Sequence, residues 1–372
     1  MISKRRAYVL CFTAALAAAI ATTGAFLYFG FVSGPIGKIY SIINLLDQNF
    51  YRPIDRAAAL EGASRGVVNT LGDPYSVYMS KREWEEFQVR TSGEYSGIGV
   101  TIGVSGDYVE IAKPMKGSPA EEAGLQAGDV ILKVDGKAIS TSDEAASLIR
   151  GPAGTDVTIT LGRGTESFDV TITRREISVP ATSYEMLEND IGYIELMSFN
   201  EHSDTEVAAA LQSLKSDGAK AIVLDLRYNG GGYVNQCLNI AEMLIPEGPV
   251  VTLDYKNQPQ ETYSSRGSGL GLPLFVLVNG GSASASEILA GAIQDRGVGK
   301  LIGETTFGKG LVQGAYPLRD GSVVKLTTAE YLTPSGRAIN GDGLKPDYEV
   351  AGDEEQLQKA LELAAQAVAG TQ

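Results

Sequence analysis

The chain contains an early run of residues that carry no charge. This run extends from Ala7 to Val32, and its 26 residues exceed the roughly 20 that cross a bilayer as a helix. Basic residues 4–6 precede it, which predicts that the chain after Gly34 lies outside the cytoplasm. A cleaved secretory peptide would lead to the same compartment. We expect residues 1–35 to be a cytoplasmic stub and transmembrane anchor of a single-pass cell-membrane protein.

An amphipathic helical pattern follows the uncharged run. Apolar residues recur at helical spacing in two groups, Ile39, Ile42, Ile43, Leu46 and Ala59, Leu60, Ala63, Val67. The sequence Gly72-Asp73-Pro74 interrupts them, and residues 81–89 fit another short helix. We predict a helical arm over 36–93 that tethers the protein or forms a homodimer, because nothing catalytic is visible in it.

Between residues 94 and 178 the pattern changes to short strands. Strands are predicted at 98–102, 108–111, 130–134, 157–161 and 168–173. A short helix is predicted to open at Ser118-Pro119 and close at Gly124, and another helix is predicted at 142–150. The run SPAEEAGLQAGDVILKVDG (118–136) lies among them. On this run, the segment 94–178 resembles a PDZ domain.

A PDZ-like segment implies a particular mode of peptide binding. Backbone amides of Ile98, Gly99 and Val100 would hold a terminal carboxylate while the peptide adds as a strand beside the helix. Arg150 is expected either to face this groove as a charge sensor or to complement the helix dipole. The expected partners are therefore proteins or peptides with free C-termini.

From residue 179 to 350 strands alternate with helices. The apolar runs AIVLDL (221–226) and PLFVLV (273–278) are typical of buried strands, and helices are predicted at 205–216, 234–244 and 284–295. This alternation predicts a sheet covered by helices. A terminal amphipathic helix occupies most of 351–372, which we treat as a separate segment.

Composition narrows the possible partners and cofactors. The chain has 31 Lys+Arg against 45 Asp+Glu, a net charge of −14, which repels nucleic acid. A single histidine, His202, and one cysteine in the body, Cys237, cannot assemble a credible metal site. We expect His202 to lie at the surface, and no cofactor is predicted.

Ser284 is the first candidate for chemistry, within SASASEI (282–288). It lies between a buried strand and a helix, where helix amides favour a developing negative charge. The simpler interpretation is a capping box, because Ser284 precedes Glu287 by three residues. Ser282 and Ser286 are equally available hydroxyls on sequence alone.

Lys309 is the candidate base, since the one histidine is remote from these motifs. Its segment, GETTFGKGLVQ (303–313), is rich in glycine. A lysine acts as a base only if burial keeps it neutral, and lowering its pKa by about three units takes roughly 4 kcal/mol of desolvation. Gln313 could orient the amine without adding charge. A solvated loop lysine is the commoner alternative.

Glycines follow the first buried strand in DLRYNGGG (225–232). Three consecutive glycines can expose backbone amides to an oxyanion or let a substrate backbone approach closely, although a plain loop is also possible.

These motifs, in this order behind a PDZ-like segment, resemble the C-terminal processing (tail-specific) peptidases. LGDPYS (71–76) and GDGLKPD (341–347) extend the match over nearly everything after residue 36. The resemblance implies a multidomain α/β fold, with a crotonase/Clp-protease-like core, an inserted PDZ domain, a helical arm and a transmembrane helix. It also implies Ser284 as nucleophile, Lys309 as general base, Gln313 as its partner, and the Ala285 amide with Gly230 or Gly231 as the oxyanion hole. The catalytic part would be extracytoplasmic.

Three other functions share features with parts of this sequence. A nucleotide-binding loop at 303–310 lacks the Ser/Thr that would hold Mg²⁺ and is followed by a strand pattern. A penicillin-binding motif at 322–325 lies in a strand pattern, where its side chains cannot share a helical face. A catalytically inactive PDZ scaffold that binds protein C-termini remains the alternative function.

Overall fold

The computed structural model describes residues 12–24, 35–106 and 108–370, which divide into two compact units. The first unit comprises residues 1–82 with 315–326, and the second comprises 83–314 with 327–372.

Helices make up most of the first unit: α1 (12–24), α2 (Pro35–Asn49) and α3 (Arg56–Asn69). The Asp55 carboxylate begins α3 by accepting the amides of Ala57 and Ala58 at 2.9 and 3.1 Å. Strand β1 (Val77–Met79) pairs antiparallel with 323–325. Of the predicted membrane anchor, only residues 12–24 are described, and the rest lies outside the described residues. Among the helices that the structure describes, none is long and apolar enough to cross a membrane.

The PDZ-like part of the second unit lies between two paired strands, β2 (Glu94–Gly97) and β9 (Arg175–Ser178). Its sheet has the order β3-β4-β5-β7-β8, with β6 beside β5. These strands are β3 (Val100–Ser105), β4 (Tyr108–Pro114), β5 (Val130–Val134), β6 (Lys137–Ala138), β7 (Asp156–Arg163) and β8 (Glu166–Thr173). Helix α4 (Lys81–Ser92) precedes it in the chain, and α5 (Pro119–Glu122) and α6 (Ser142–Ile149) pack within it.

Several predicted boundaries in this part are wrong, and two of them lie beside the expected peptide groove. Strand β3 begins at Val100 instead of Ile98, because Gly99 turns the chain at φ +75 where a Cβ would collide with Ser118. Helix α6 ends at Ile149, and Arg150 is its extended C-cap.

The core sheet has the order β10-β11-β12-β15-β16-β19. Its strands are β10 (Thr182–Leu187), β11 (Ile191–Leu196), β12 (Ala221–Asp225), β15 (Leu274–Val278), β16 (Lys300–Gly303) and β19 (Tyr348–Glu349). Only the β10–β11 pair is antiparallel among these described pairs. Four further strands are β13 (Pro246–Tyr255), β14 (Glu261–Ser268), β17 (Leu311–Pro317) and β18 (Val323–Leu332).

Helices cover both faces of the core sheet. They are α7 (Ser203–Ser216), α8 (Val234–Leu244), α9 (Ala285–Asp295) and α10 (Asp353–Gly370). Ile222 and Leu224 point into a core shared with α7, α8 and α9, whereas Ala221 and Val223 meet α10 on the other face. Because side chains alternate along a strand and both faces are covered, β12 is buried throughout, as its apolar run predicted.

Candidate active site

Three neighbouring parallel strands lead into the three predicted motifs. β12 runs into the glycine-rich loop, β15 into the loop before Ser284, and β16 into the loop that carries Lys309. Because the carboxyl ends of parallel strands meet at one edge of a sheet, the topology brings the three motifs together there.

Ser284 has a backbone conformation that a capping role alone does not require. Its φ is 57° and its ψ is −114°. By contrast, the caps Ser118 and Thr141 of this chain are extended, with φ of −83° and −135°. A residue other than glycine at positive φ costs about 1–3 kcal/mol and persists only where its surroundings enforce it. Helix α9 begins at the next residue, so its N-terminal dipole is aimed at this position.

The Glu287 carboxylate joins the backbones of both candidate catalytic residues. It is fully buried, and its Oε2 accepts the amides of Ser284 and Lys309, each at 2.9 Å. Its Oε1 accepts the Thr306 hydroxyl at 2.6 Å and the Gly308 amide at 2.8 Å. The sequence predicted Glu287 only as the capping-box partner of Ser284, and its link to the lysine loop was missed.

The other two serines of SASAS have structural partners. The Ser282 hydroxyl donates to Leu226 O at 2.7 Å and accepts the Asn279 amide, and the Ser286 hydroxyl donates to Asn229 O at 2.8 Å. Both are completely buried, whereas Ser284 is partly exposed. The structure therefore favours Ser284 as the hydroxyl that a substrate can reach.

Lys309 is partly buried in a tightly packed loop. A Cβ on Gly308 would lie 2.9 Å from Gly343 N, and one on Gly310 would lie 2.7 Å from Asn340 N. Only glycine permits these approaches, which explains the Gly-Lys-Gly sequence. Gln313, in β17, donates from Nε2 to Leu311 O at 3.2 Å and to Thr327 Oγ1 at 3.4 Å.

The glycine-rich loop lies against the backbone of Ser284. A Cβ on Gly231 would be 2.9 Å from Ser284 Cβ and 3.0 Å from Ala285 N. The Gly231 amide itself donates to Asn229 Oδ1 at 2.9 Å. The amides of Gly230 and Ala285 donate no hydrogen bond to any residue that the structure describes. These two amides are therefore available to a substrate oxygen.

The glycine-rich loop also forms hydrogen bonds with the C-terminal helix that no local sequence signal indicates. The Tyr228 hydroxyl donates to Asp353 Oδ2 at 2.7 Å, and Arg227 Nη1 donates to Asp353 O at 2.6 Å. Arg227 also pairs with Asp225 at 2.6 Å, and both side chains are largely buried. Because more than a hundred residues separate Asp353 from the loop, spacing could not reveal these contacts.

In the PDZ-like part, a cavity lies at the position expected for the peptide groove. A cavity of about 140 Å³ is lined by Tyr95, Ile98, Gly99, Val100, Ile102, Ala146, Ile149 and Arg150. The amides of Ile98 and Gly99 make no hydrogen bond within the described part of the chain, whereas the Gly99 carbonyl is held by Met115 N and Ser118 Oγ. The Arg150 guanidinium lies 5.6 Å from the centre of the Tyr95 ring, at the rim of this cavity.

His202 lies at the junction between the PDZ-like part and the core. It precedes α7, is partly exposed, and its Nε2 is 2.7 Å from Glu94 Oε1. Nearby, Asn200 Nδ2 donates to Val179 O at 3.2 Å and Glu201 N donates to Ser92 O at 3.3 Å. The surface position expected for His202 thus includes a specific contact with strand β2. Among the described residues, no group of three or more His, Cys, Asp or Glu residues is arranged to hold a metal ion.

Three family models match the chain. Peptidase family S41 matches residues 190–350, a PDZ domain matches residues 110–163, and the N-terminal domain of the activating protease CtpB matches residues 31–83.

Similar curated proteins include the carboxy-terminal processing protease CtpA of Bacillus subtilis (strain 168). It is 39% identical over 314 residues, which cover 83% of this chain and 67% of that protein. A probable CtpA-like serine protease of Staphylococcus aureus (strain COL) is 37% identical over 321 residues, covering 85% of this chain. The chain spans 64% of the length of that relative.

Two solved protease structures are similar to this chain. A photosystem II D1 C-terminal processing protease is 31% identical, with a TM-score of 0.53, and the match covers 91% of this chain and 93% of that chain. A putative S41 protease from Bacteroides fragilis is 19% identical with a TM-score of 0.52, a likeness of fold alone.

Proposed function

Because the chain belongs to peptidase family S41 and carries a PDZ domain and a CtpB-type N-terminal domain, we propose that it is a C-terminal processing serine endopeptidase. The observation that carries this proposal is the Glu287 carboxylate, which binds the amides of Ser284 and Lys309 through one oxygen. A purely structural cap of α9 has no need to hold a distant lysine loop.

The proposed reaction is an acyl transfer in two steps. The neutral amine of Lys309 takes the Ser284 proton as Oγ attacks the scissile carbonyl carbon, and the oxyanion forms beside the amides of Gly230 and Ala285. The lysine then gives the proton to the leaving amine as the peptide C–N bond breaks. Water, deprotonated by the same amine, attacks the acyl-enzyme, and the carboxylic acid leaves as Ser284 regains its proton. Gln313 is proposed to orient the amine.

Substrates are proposed to arrive through the PDZ domain. The free amides of Ile98 and Gly99 suit a terminal carboxylate, and the apolar walls formed by Ile102 and Ile149 suit an apolar last side chain. Arg150 at the rim would read the charge of the preceding residues.

We also propose that residues 1–35 anchor the protein in the membrane and that the protease lies outside the cytoplasm.

We further propose that the helical arm forms a homodimer. The dimer is supported by apolar side chains on α2, α3 and their connections that are more than 40% exposed: Tyr40, Ile42, Leu45, Leu46, Phe50, Tyr51, Leu60, Val67 and Leu71. Sedimentation of the purified protein tests the dimer, which Leu45→Glu should dissociate.

The catalytic proposal is tested with Ser284→Ala and Lys309→Ala in the full chain. Each should abolish cleavage of a protein substrate while leaving binding of a tail peptide and the unfolding transition unchanged. Ser216→Ala and Lys345→Ala, at exposed positions, are the matched controls. Full activity in the lysine variant would refute the dyad. A folded, peptide-binding wild type without any hydrolysis would favour the PDZ scaffold.

A further inference from the structure

Tyr228 holds an unusual conformation at the start of the glycine-rich loop. Its φ is +60°, although it is not glycine, and its side chain is 70% exposed. An exposed tyrosine gains no burial that would enforce this backbone shape. It is the residue two positions before Gly230, whose amide is proposed to bind the oxyanion. The Gly230 amide shares a peptide plane with Asn229 O, which accepts the Ala283 amide at 3.0 Å and the Ser286 hydroxyl at 2.8 Å. Whatever holds Tyr228 sets the direction from which the chain enters that peptide plane.

Two contacts hold Tyr228. Its amide donates to Asn279 Oδ1 at 3.0 Å, within the loop that leads to Ser284. Its hydroxyl donates to Asp353 Oδ2 at 2.7 Å, at the first residue of α10. The hydrogen bond to Asp353 raises the pKa of Tyr228, so the hydroxyl remains a donor through the neutral range.

The first turn of α10 is held in place by burial and hydrogen bonds. Ala360 and Ala364 of this helix are completely buried against the core sheet, and Gln356 of the first turn is buried with its Nε2 donating to Val350 O at 3.0 Å. Arg227, next to Tyr228, reaches the same turn through Asp353 O. The helix packs on the face of the sheet opposite to α9 and contacts the loop through its first residue.

We propose that Asp353, at the start of the C-terminal helix, is a positioning residue that holds the oxyanion-hole loop in its active shape through the Tyr228 hydroxyl. This inference rests on the proposed function of Ser284. It assigns a part in turnover to α10, which packs on the face of the sheet opposite to α9. Loss of the contact lets Tyr228 relax toward negative φ, which pulls on the Asn229–Gly230 peptide and displaces the Gly230 amide from the oxyanion.

The experiment compares Tyr228→Phe, Asp353→Ala, Asp353→Asn and the double variant Tyr228→Phe/Asp353→Ala in the full chain. Tyr228→Phe keeps the ring and removes only the hydroxyl. Asp353→Asn keeps an oxygen that can accept the hydroxyl. Glu354→Ala is the matched control, because it removes an exposed charge from the same helical turn.

We expect kcat to fall about tenfold in Tyr228→Phe and in Asp353→Ala, with KM and tail-peptide binding unchanged, because an oxyanion donor acts in the transition state. The double variant should fall no further than Asp353→Ala, since both single variants remove the hydroxyl contact and Asp353→Ala also removes the 3.7 Å ion pair with Arg227. Asp353→Asn and Glu354→Ala should stay within about twofold of wild type. Labelling of Ser284 by a fluorophosphonate should slow in parallel with kcat.

Wild-type kcat in Tyr228→Phe, a change in KM alone, or multiplying effects in the double variant would each overturn the inference. Its failure is distinct from failure of the proposed function. If Ser284→Ala is inactive and unlabelled while Tyr228→Phe behaves as wild type, only the role of Asp353 is lost. If Ser284→Ala remains active, the proposed nucleophile is lost, and the assignment of the loop is lost with it.

Discussion

Replacing the Glu287 carboxylate with an amide should weaken both the fold and the reaction. In Glu287→Gln one oxygen remains, and four donors compete for it. The Thr306 hydroxyl can tolerate the change, because its oxygen has two lone pairs. One of them accepts the Leu344 amide at 2.7 Å, and the other can accept a second donor. The side-chain amide nitrogen of the variant should therefore turn toward Thr306. The remaining side-chain oxygen then accepts the amides of Ser284 and Lys309, and the Gly308 amide is left without an acceptor.

The magnitude follows from these contacts. One buried amide without an acceptor costs about 1–3 kcal/mol. The two amides that keep an acceptor lose its charge, at about 1 kcal/mol each. The free energy of unfolding of the core should fall by about 3–5 kcal/mol, a large part of the 5–15 kcal/mol typical of a domain. Because both amides belong to the proposed dyad, kcat should fall by about 10- to 30-fold.

Urea unfolding and steady-state hydrolysis measure these two effects. Glu304→Gln, an exposed position in the same loop, is the control and should match wild type in both. Glu287→Ala leaves all four donors unpaired and should not yield a folded core. A Glu287→Gln variant with the wild-type urea midpoint and kcat would show that the carboxylate does not hold the site together.

Two further predictions concern the PDZ domain and the glycine-rich loop. The hydrogen bonds from Arg163, at 2.6 and 2.7 Å, hold the pKa of the buried Asp129 below its usual value. Its stabilisation is therefore complete at neutral pH and is lost as the pH falls below about 4 toward the folded-state pKa. Asp129→Asn should lower PDZ stability at pH 7 and flatten its acid dependence in thermal melts, and an unchanged acid profile would contradict this. Gly231→Ala should abolish hydrolysis, because φ is +97° and the added Cβ would lie 2.8 Å from Ala283 O. Gly230→Ala has open space around the added Cβ and should fold normally by circular dichroism. Equal hydrolytic activities of the two variants would refute the packing argument.

The sequence predicted those parts of the fold that rest on local patterns. Continuous apolar runs identified β12 and β15, and alternating strands and helices indicated a covered sheet. The family resemblance is confirmed, together with a mixed α/β fold that contains a PDZ domain. The domain boundaries and the catalytic residues remain predictions.

Contacts between distant segments could not be predicted. Glu287 satisfied a capping pattern with Ser284, so nothing in its surroundings indicated Lys309 as a second partner. Tyr228 belongs to the glycine-rich motif and Asp353 begins the C-terminal helix, and only the folded sheet places them together. Spacing also left three serines equivalent, whereas burial of Ser282 and Ser286 distinguishes Ser284 from them.

The paired strands β2 and β9 have an evolutionary consequence. The PDZ domain leaves and rejoins the core at adjacent positions, with Glu94 opposite Ser178. A domain whose two ends lie side by side can be replaced by another domain, because the core is joined to the same two paired strands in either case. Selection for new protein tails can thus proceed by exchange or drift of this module, while the machinery that breaks the peptide bond stays unaltered.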